Sequence, residues 1–183
     1  MKKPKTNIMK VIINKIFIAL LFFSILSCSK DSEAQETDQV LYEAIAEKIL
    51  LKTNAIRSSL AKSDLAQNDE MDNLATLHSK NMVIHDFYAH VDHQNKTPSN
   101  RADDLSISWS NIAENIATVP WSEYVRGFGD TRSAEAISTC VVENWENSPG
   151  HYKNIIGDFS ELGVGIAFTK DSIAFFTQVF RTP

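Results

Sequence analysis

The stretch Glu161-ELGVGIAFTKDSIAFFTQVF-Phe180 decides the fold class. Two runs rich in β-branched and aromatic residues, "ELGVGIAFT" and "IAFFTQVF", flank the polar turn Lys170-Asp171-Ser172. Strand-forming runs separated by a short polar turn predict an antiparallel hairpin. Upstream the pattern changes period. "QVLYEAIAEKILLKTNAIRSSLAK" places Leu41, Ile45, Ile49, Thr53 and Ile56 near helical spacing, with Asp38 as its N-cap. A second helix spans 69–84, with Met71, Leu74, Leu77, His78 and Met82 near one face. Helices first, further helices in the middle and strands last predict an α+β domain with a small antiparallel sheet.

"SDLAQND" is a connection, and Ser99 to Leu105 forms a short helix after Pro98. A strand lies around Ile112 to Ala117, and "WSEYVRGFGD" is a loop. A third helix, about Arg132 to Asn147, turns Ala136, Cys140 and Val141 inward. In "NWENSPGHYKN", Asn144 to Asn154, Pro149 and Gly150 end that helix and His151 follows where the chain restarts.

The N-terminus carries an export signal. Lys2, Lys3, Lys5, Lys10 and Lys15 precede an apolar run, Ile16 to Leu26, of a length suited to a signal peptide and short for a membrane span. "ILSC", Ile25 to Cys28, resembles a bacterial lipobox. The resemblance makes Cys28 the first mature residue and the carrier of acyl chains, which hold a protein on a membrane through about 0.8 kcal/mol per buried CH₂. The polar segment "SKDSEAQETD" then reads as a flexible tether. Its Lys30-Asp31 and nearby acids resemble the charged signals that send some lipoproteins of the Bacteroidetes to the cell surface. The organisation is therefore 1–27 signal peptide, 28–38 lipidated cysteine and tether, and 39–183 the folded domain, exported and anchored to the outer membrane or cell surface.

Removing residues 1–27 takes away five of the 18 Lys+Arg and no acid, leaving 13 against 23 Asp+Glu, a formal charge of −10. That balance excludes a nucleic-acid partner, which needs clustered cations. With Cys28 lipidated, Cys140 is left alone and acts as a small buried hydrophobe in a fold without disulfides.

Four polar positions stand out: His90, Glu114, Ser148 and His151. Glu114 lies between Ile112 and Ile116, so in an extended segment it shares their apolar face and needs a partner there. The bland readings are a solvated cluster for His90, with His85 and His93, and a helix stop with its hydroxyl on local backbone for Ser148. The ordered motifs "YAHVD…TPSNRA…NIAENIA…VVENWENSPGHYKNII…ELGVGIAF…FFTQVF" resemble the bacterial branch of the CAP superfamily, which holds the cysteine-rich secretory, antigen 5 and pathogenesis-related 1 proteins. The likeness runs from about Leu41 to Phe180.

The resemblance implies an α-β-α sandwich and a cleft with two histidines and two acids. His90 and His151 match the histidines, and Glu114 matches the acid of the Gly-Glu-Asn motif, with Ala113 in place of the glycine. Ser148 falls where many relatives have the second acid, so the set is incomplete. Asn115 bonds across the cleft, Asn154 satisfies backbone nearby, Arg101 pairs with an acid, and Trp145 and Phe159 pack between helix and sheet. Gly163 and Gly165 suit a strand approached closely by another backbone. No cofactor is required. Two imidazoles without a third strong protein donor would hold Zn²⁺ or a similar ion only weakly. The expectation is a monomeric, lipid-anchored envelope protein whose cleft binds a small apolar or lipid ligand or an envelope partner. The alternative is a metal-assisted, peptidase-like hydrolase using His90, Glu114 and His151.

Overall fold

The computed structural model describes residues 29–183, with side chains from residue 38 onward; residues 1–28, where the signal peptide and the lipidated Cys28 are expected, lie outside the described residues. Element α1 (Ser29–Ser59) is followed by β1 (Ala66–Gln67), α2 (Asp69–Ile84), α3 (Pro98–Asp104) and β2 (Asn111–Pro120). Then come α4 (Ala134–Glu146), α5 (Pro149–Ile155), β3 (Glu161–Phe168) and β4 (Ile173–Thr182). The compact unit of the chain runs from Leu41 to Pro183.

The four strands form one sheet in the order β1-β3-β4-β2. The hairpin is as expected: β3 and β4 pair antiparallel from Glu161↔Arg181 to Phe168↔Ala174. Strand β2 pairs antiparallel with β4 on the other side, from Asn111↔Thr182 to Pro120↔Ile173. The sheet is mixed rather than purely antiparallel, because Ala66 and Gln67 in the expected connection pair parallel with Glu161 and Leu162. Two residues with no alternating pattern carry no strand signal of their own; the neighbouring strand recruits them.

Side chains alternate across the sheet. On one face Leu162, Val164, Ile166, Ala174, Phe176, Phe180, Ala117 and Val119 meet Ile45 and Ile49 of α1 and Ile137, Cys140, Val141, Val142 and Trp145 of α4. On the other, Val179 and Ile112 meet Met71, Leu74 and Ala75 of α2 and Ala102 of α3. These layers make the α-β-α sandwich. The close approach expected at the glycines is real. A Cβ on Gly163 would lie 2.0 Å from the Met71 carbonyl carbon, and one on Gly165 2.1 Å from that of Ala75. Helix α2 therefore lies backbone-against-backbone on β3.

Several local expectations shift. Asp38 lies inside α1, which starts at Ser29, so the residues read as a tether are helical; Glu, Ala and Gln there are good helix formers, and no Gly or Pro interrupts them. Leu77 is exposed and Ala75 is buried instead, because the contact stripe on α2 follows the glycine-lined strand. On α4, Ser133 is the N-cap, and Ile137 rather than Ala136 takes the fully buried position. Cys140 is buried and unpaired among the described residues, and burial pushes its thiol up to about 11.

Candidate functional site

Strand β2 is an edge of the sheet, and edge strands leave one row of backbone groups to be covered. Here side chains cover it. Ile116 O accepts from Tyr88 Oη (3.1 Å) and from Trp145 Nε1 (3.0 Å), and Glu114 O accepts from Asn154 Nδ2 (3.2 Å). The helix layers on both sheet faces thus reach around this edge, and the site residues gather along it.

Alternation sends Glu114 toward the α2–α3 face and Asn115 toward the opposite one. Glu114 is sealed: 1% of its side chain is exposed. Its Oε2 accepts from Arg101 Nη2 at 2.5 Å, and its Oε1 accepts from His90 Nδ1 at 2.9 Å. A carboxylate only accepts, so neutral His90 carries its proton on Nδ1 and leaves Nε2 open. The His90 side chain is 47% exposed. Arg101 does more than neutralise the acid. Its Nη1 donates to His90 O (2.8 Å) and Lys96 O (3.0 Å), tying down the loop that brings His90 to the edge. That loop is tightened by Asp92, whose Oδ1 accepts from Gln94 N and Lys96 N, and by Asp86 and Asn95 at positive φ, which short polar side chains tolerate.

On the other face Asn115 Nδ2 donates to His151 O (3.2 Å) and to Gln178 Oε1 (3.1 Å), and its Oδ1 accepts from Asn154 Nδ2 (2.8 Å). Gln178 Nε2 continues the chain to Thr53 Oγ1 (2.9 Å). This buried amide relay fixes α5 against the sheet. Arg57 fixes the far end of the helix, donating to Ile155 O and Gly157 O at 2.8 Å each. His151 is half-buried; desolvation first, and then the nearby charge of His90, lowers its pKa.

Ser148 departs from its expected role. It is the N-cap position of α5, but its hydroxyl makes no capping bond. Tyr152 N bonds to its carbonyl at 2.8 Å, so the helix starts through backbone alone. Among the described residues no hydrogen bond joins the Ser148 hydroxyl to His151. Pro149 at the first helical position presets the turn.

Two site residues carried weaker signals in the sequence. Arg101 was marked only as an acid's partner, and His78 only as one member of an inward stripe. His78 is fully buried, and its Nε2 lies 3.0 Å from Ala89 O. A carbonyl only accepts, so Nε2 carries the proton and Nδ1 is a buried acceptor without a partner. Desolvation lowers the pKa of His78, outweighing the attraction of Glu114. The 3.7 Å approach of Nε2 to Glu114 Oε1 is thus a contact of a neutral ring, not an ion pair.

A metal would find limited purchase. His90 Nε2 and the ring of His151 are suitable imidazole donors. Both Glu114 oxygens are committed to Arg101 and His90, and among the described residues no group of three or more His, Cys, Asp or Glu is arranged to hold an ion.

Comparisons with known proteins agree with this architecture. An extracellular protein with an SCP domain from Bacillus anthracis superposes over 78% of this chain and 41% of its own, with 26% identity and a TM-score of 0.61. An outer surface protein of Borrelia burgdorferi matches over 80% of this chain and 92% of its own, at 23% identity and TM-score 0.57. A cysteine-rich secretory protein of Staphylococcus aureus matches over 78% and 39%, at 13% identity and TM-score 0.57. This chain thus spans under half the length of the Bacillus and Staphylococcus chains. A search of curated protein sequences gives no significant match. The family model for the cysteine-rich secretory proteins matches residues 50–180, most of the compact unit and all of the site, and the chain belongs to this CAP family.

Proposed function

We propose that this protein is a cell-envelope CAP-domain binding module, exported and held on a membrane through Cys28, whose His90–His151 cleft receives a small ligand with apolar character. One observation carries the reading: the carboxylate that a hydrolase would use to activate water is already occupied. Glu114 is 1% exposed, with one oxygen on Arg101 and the other on His90. A general base has to reach the proton it abstracts, and Glu114 faces protein on both oxygens. Ser148 stands where the family pattern has its second acid, and its hydroxyl makes no capping bond. In this reading the cleft offers the His90 and His151 rings, and exposed apolar side chains lie close to His90 in the chain. Tyr88 is 52% exposed and Val91 is 44% exposed, both within two residues of His90. Exposed apolar side chains beside a few polar groups would suit ligand binding.

Among the described residues no helix is long and apolar enough to cross a membrane, so attachment in this reading comes from lipid on Cys28. The extracellular and surface settings of the Bacillus and Borrelia relatives support an envelope location. A divalent ion, if taken up, would sit on His90 Nε2 and His151, weakly and exchangeably, and would supply an electrophilic anchor for a polar ligand head.

The test uses residues 29–183, stripped of metal with a chelator. Binding of Zn²⁺ and of fluorescent fatty acids is followed by titration, and a panel of peptides and esters is assayed for turnover with and without Zn²⁺. Binding that weakens at least tenfold in His151→Ala, with no turnover, is expected. Turnover that disappears in Glu114→Gln and His151→Ala would overturn the proposal in favour of a hydrolase. Mass spectrometry of the membrane-extracted protein tests the anchor: a mature N-terminus other than an acylated Cys28 removes that part of the reading.

A further inference from the structure

Three buried polar side chains, from three different elements, converge on the dipeptide Ala89–His90. His78 of α2 donates to the Ala89 carbonyl. Arg101 of α3 donates to the His90 carbonyl and to Glu114. Glu114 of β2 accepts from the His90 ring. The two carbonyls belong to the peptide units on either side of the His90 Cα, so together they fix the backbone from which the His90 ring projects. The carboxylate then selects which ring nitrogen carries the proton.

We infer that His78 and Arg101 are positioning residues whose task is to hold His90 with its proton on Nδ1 and its Nε2 lone pair turned to the cleft. The inference rests on the reading of that cleft as a ligand site. Its physical basis is the mismatch between these side chains and a purely packing role. His78 sits in an apolar stripe with Met71, Leu74 and Met82, where leucine would pack without a buried, unpartnered nitrogen. Its Nε2–H is the one polar group it satisfies, and that group goes to Ala89. Arg101 uses both ends of its fork on the same target: Nη2 holds the carboxylate that grips the ring, and Nη1 holds the carbonyl of the same histidine. A lysine offers one point charge instead of a planar fork and cannot span both. An imidazole with a fixed tautomer presents one defined acceptor to a ligand or ion, the arrangement in which a second group orients a coordinating histidine.

The experiment reads the tautomer directly, without any ligand. Long-range ¹H–¹⁵N spectra of the labelled protein at pH 8.5, where an ordinary histidine is neutral, should show His90 Nδ1 as the protonated nitrogen and Nε2 as the bare one. His78→Gln keeps a side-chain N–H within reach of Ala89 O and should retain this pattern. His78→Leu and Arg101→Lys should each give a mixture of tautomers. A wild-type His90 protonated on Nε2 overturns the inference. So does an unchanged Nδ1–H pattern in both His78→Leu and Arg101→Lys, which would leave the two residues with a structural role alone. If His78→Leu does not fold, Arg101→Lys decides by itself. Zn²⁺ titration of the same samples separates the two readings: tautomer control can hold while Zn²⁺ fails to bind, and the reverse outcome removes this inference without touching the cleft.

Discussion

Replacing Arg101 with methionine should show how strongly the core depends on the Glu114 pair. The Arg101 side chain is 9% exposed and that of Glu114 is 1% exposed, so bulk water screens neither partner. Methionine keeps most of the volume and deletes the guanidinium. Glu114 then remains buried with only the His90 N–H on Oε1, and Oε2 loses its 2.5 Å donor. Breaking a buried pair by removing one partner costs about 3–5 kcal/mol. The part-buried bonds to His90 O and Lys96 O are lost as well. At about 2–4 °C per kcal/mol for a domain of this size, the melting temperature should fall by roughly 6–20 °C. Removing both charges, in Arg101→Met with Glu114→Met, should recover most of the loss, since a buried pair replaced by apolar groups is often near neutral. The assay is urea unfolding at pH 7.5, with all four corners of the double-mutant cycle and the denaturant slope checked for constancy. A single-variant cost below about 1 kcal/mol, or a double variant that loses the full sum of the singles, would refute the argument that Glu114 is a buried charge held by Arg101.

Other outcomes can be stated briefly. Gly165→Ala places a Cβ against the α2 backbone at Ala75, where no side chain can swing aside, so it should cost at least about 1–3 kcal/mol; stability equal to wild type in thermal unfolding would contradict the packing. His78 and His151 both have pKa values below that of a free imidazole. The unfolded chain therefore binds more protons than the native one just below the ordinary histidine pKa, and stability should fall as pH drops from about 7 toward 5. In chelator, His78→Gln should flatten that slope in urea midpoints measured at half-unit steps, and an unaltered slope counts against the assignment. Cys140, with a buried thiol pushed up to about 11, should react with iodoacetamide at pH 8 only as fast as the protein opens, so labelling at the rate of a free thiol in native buffer would show the burial to be wrong.

Legibility differed sharply between elements. The span of helix α2 was readable from its apolar periodicity, although Leu77 of that stripe is exposed and Ala75 is buried instead. The hairpin was equally plain, since its strands are long and apolar. Strand β1 was not, because two residues cannot show a period and their pairing belongs to β3. The start of α1 was misplaced since Asp38 looks like a cap, whereas the helix-forming residues before it carry the helix further back. In the site, the motifs singled out His90, Glu114, Asn115 and His151, and the structure brings them to one sheet edge. Ser148 matches the position of the second acid and also reads as a helix stop with its hydroxyl on local backbone; its carbonyl makes that stop and its hydroxyl does not.

Local sequence determined the longer helices, the hairpin strands and which residues have the chemistry for a site, because these follow from periodicity and side-chain identity. Tertiary structure alone decided what those residues can do. Whether Glu114 is a free base or a sealed anchor depends on Arg101, thirteen residues away and on another element. Whether His78 is a packing residue or a clamp depends on Ala89, carried back by the loop. The free energy of a buried charge is set by its neighbours in space, and the one-dimensional pattern holds no record of which neighbours those are.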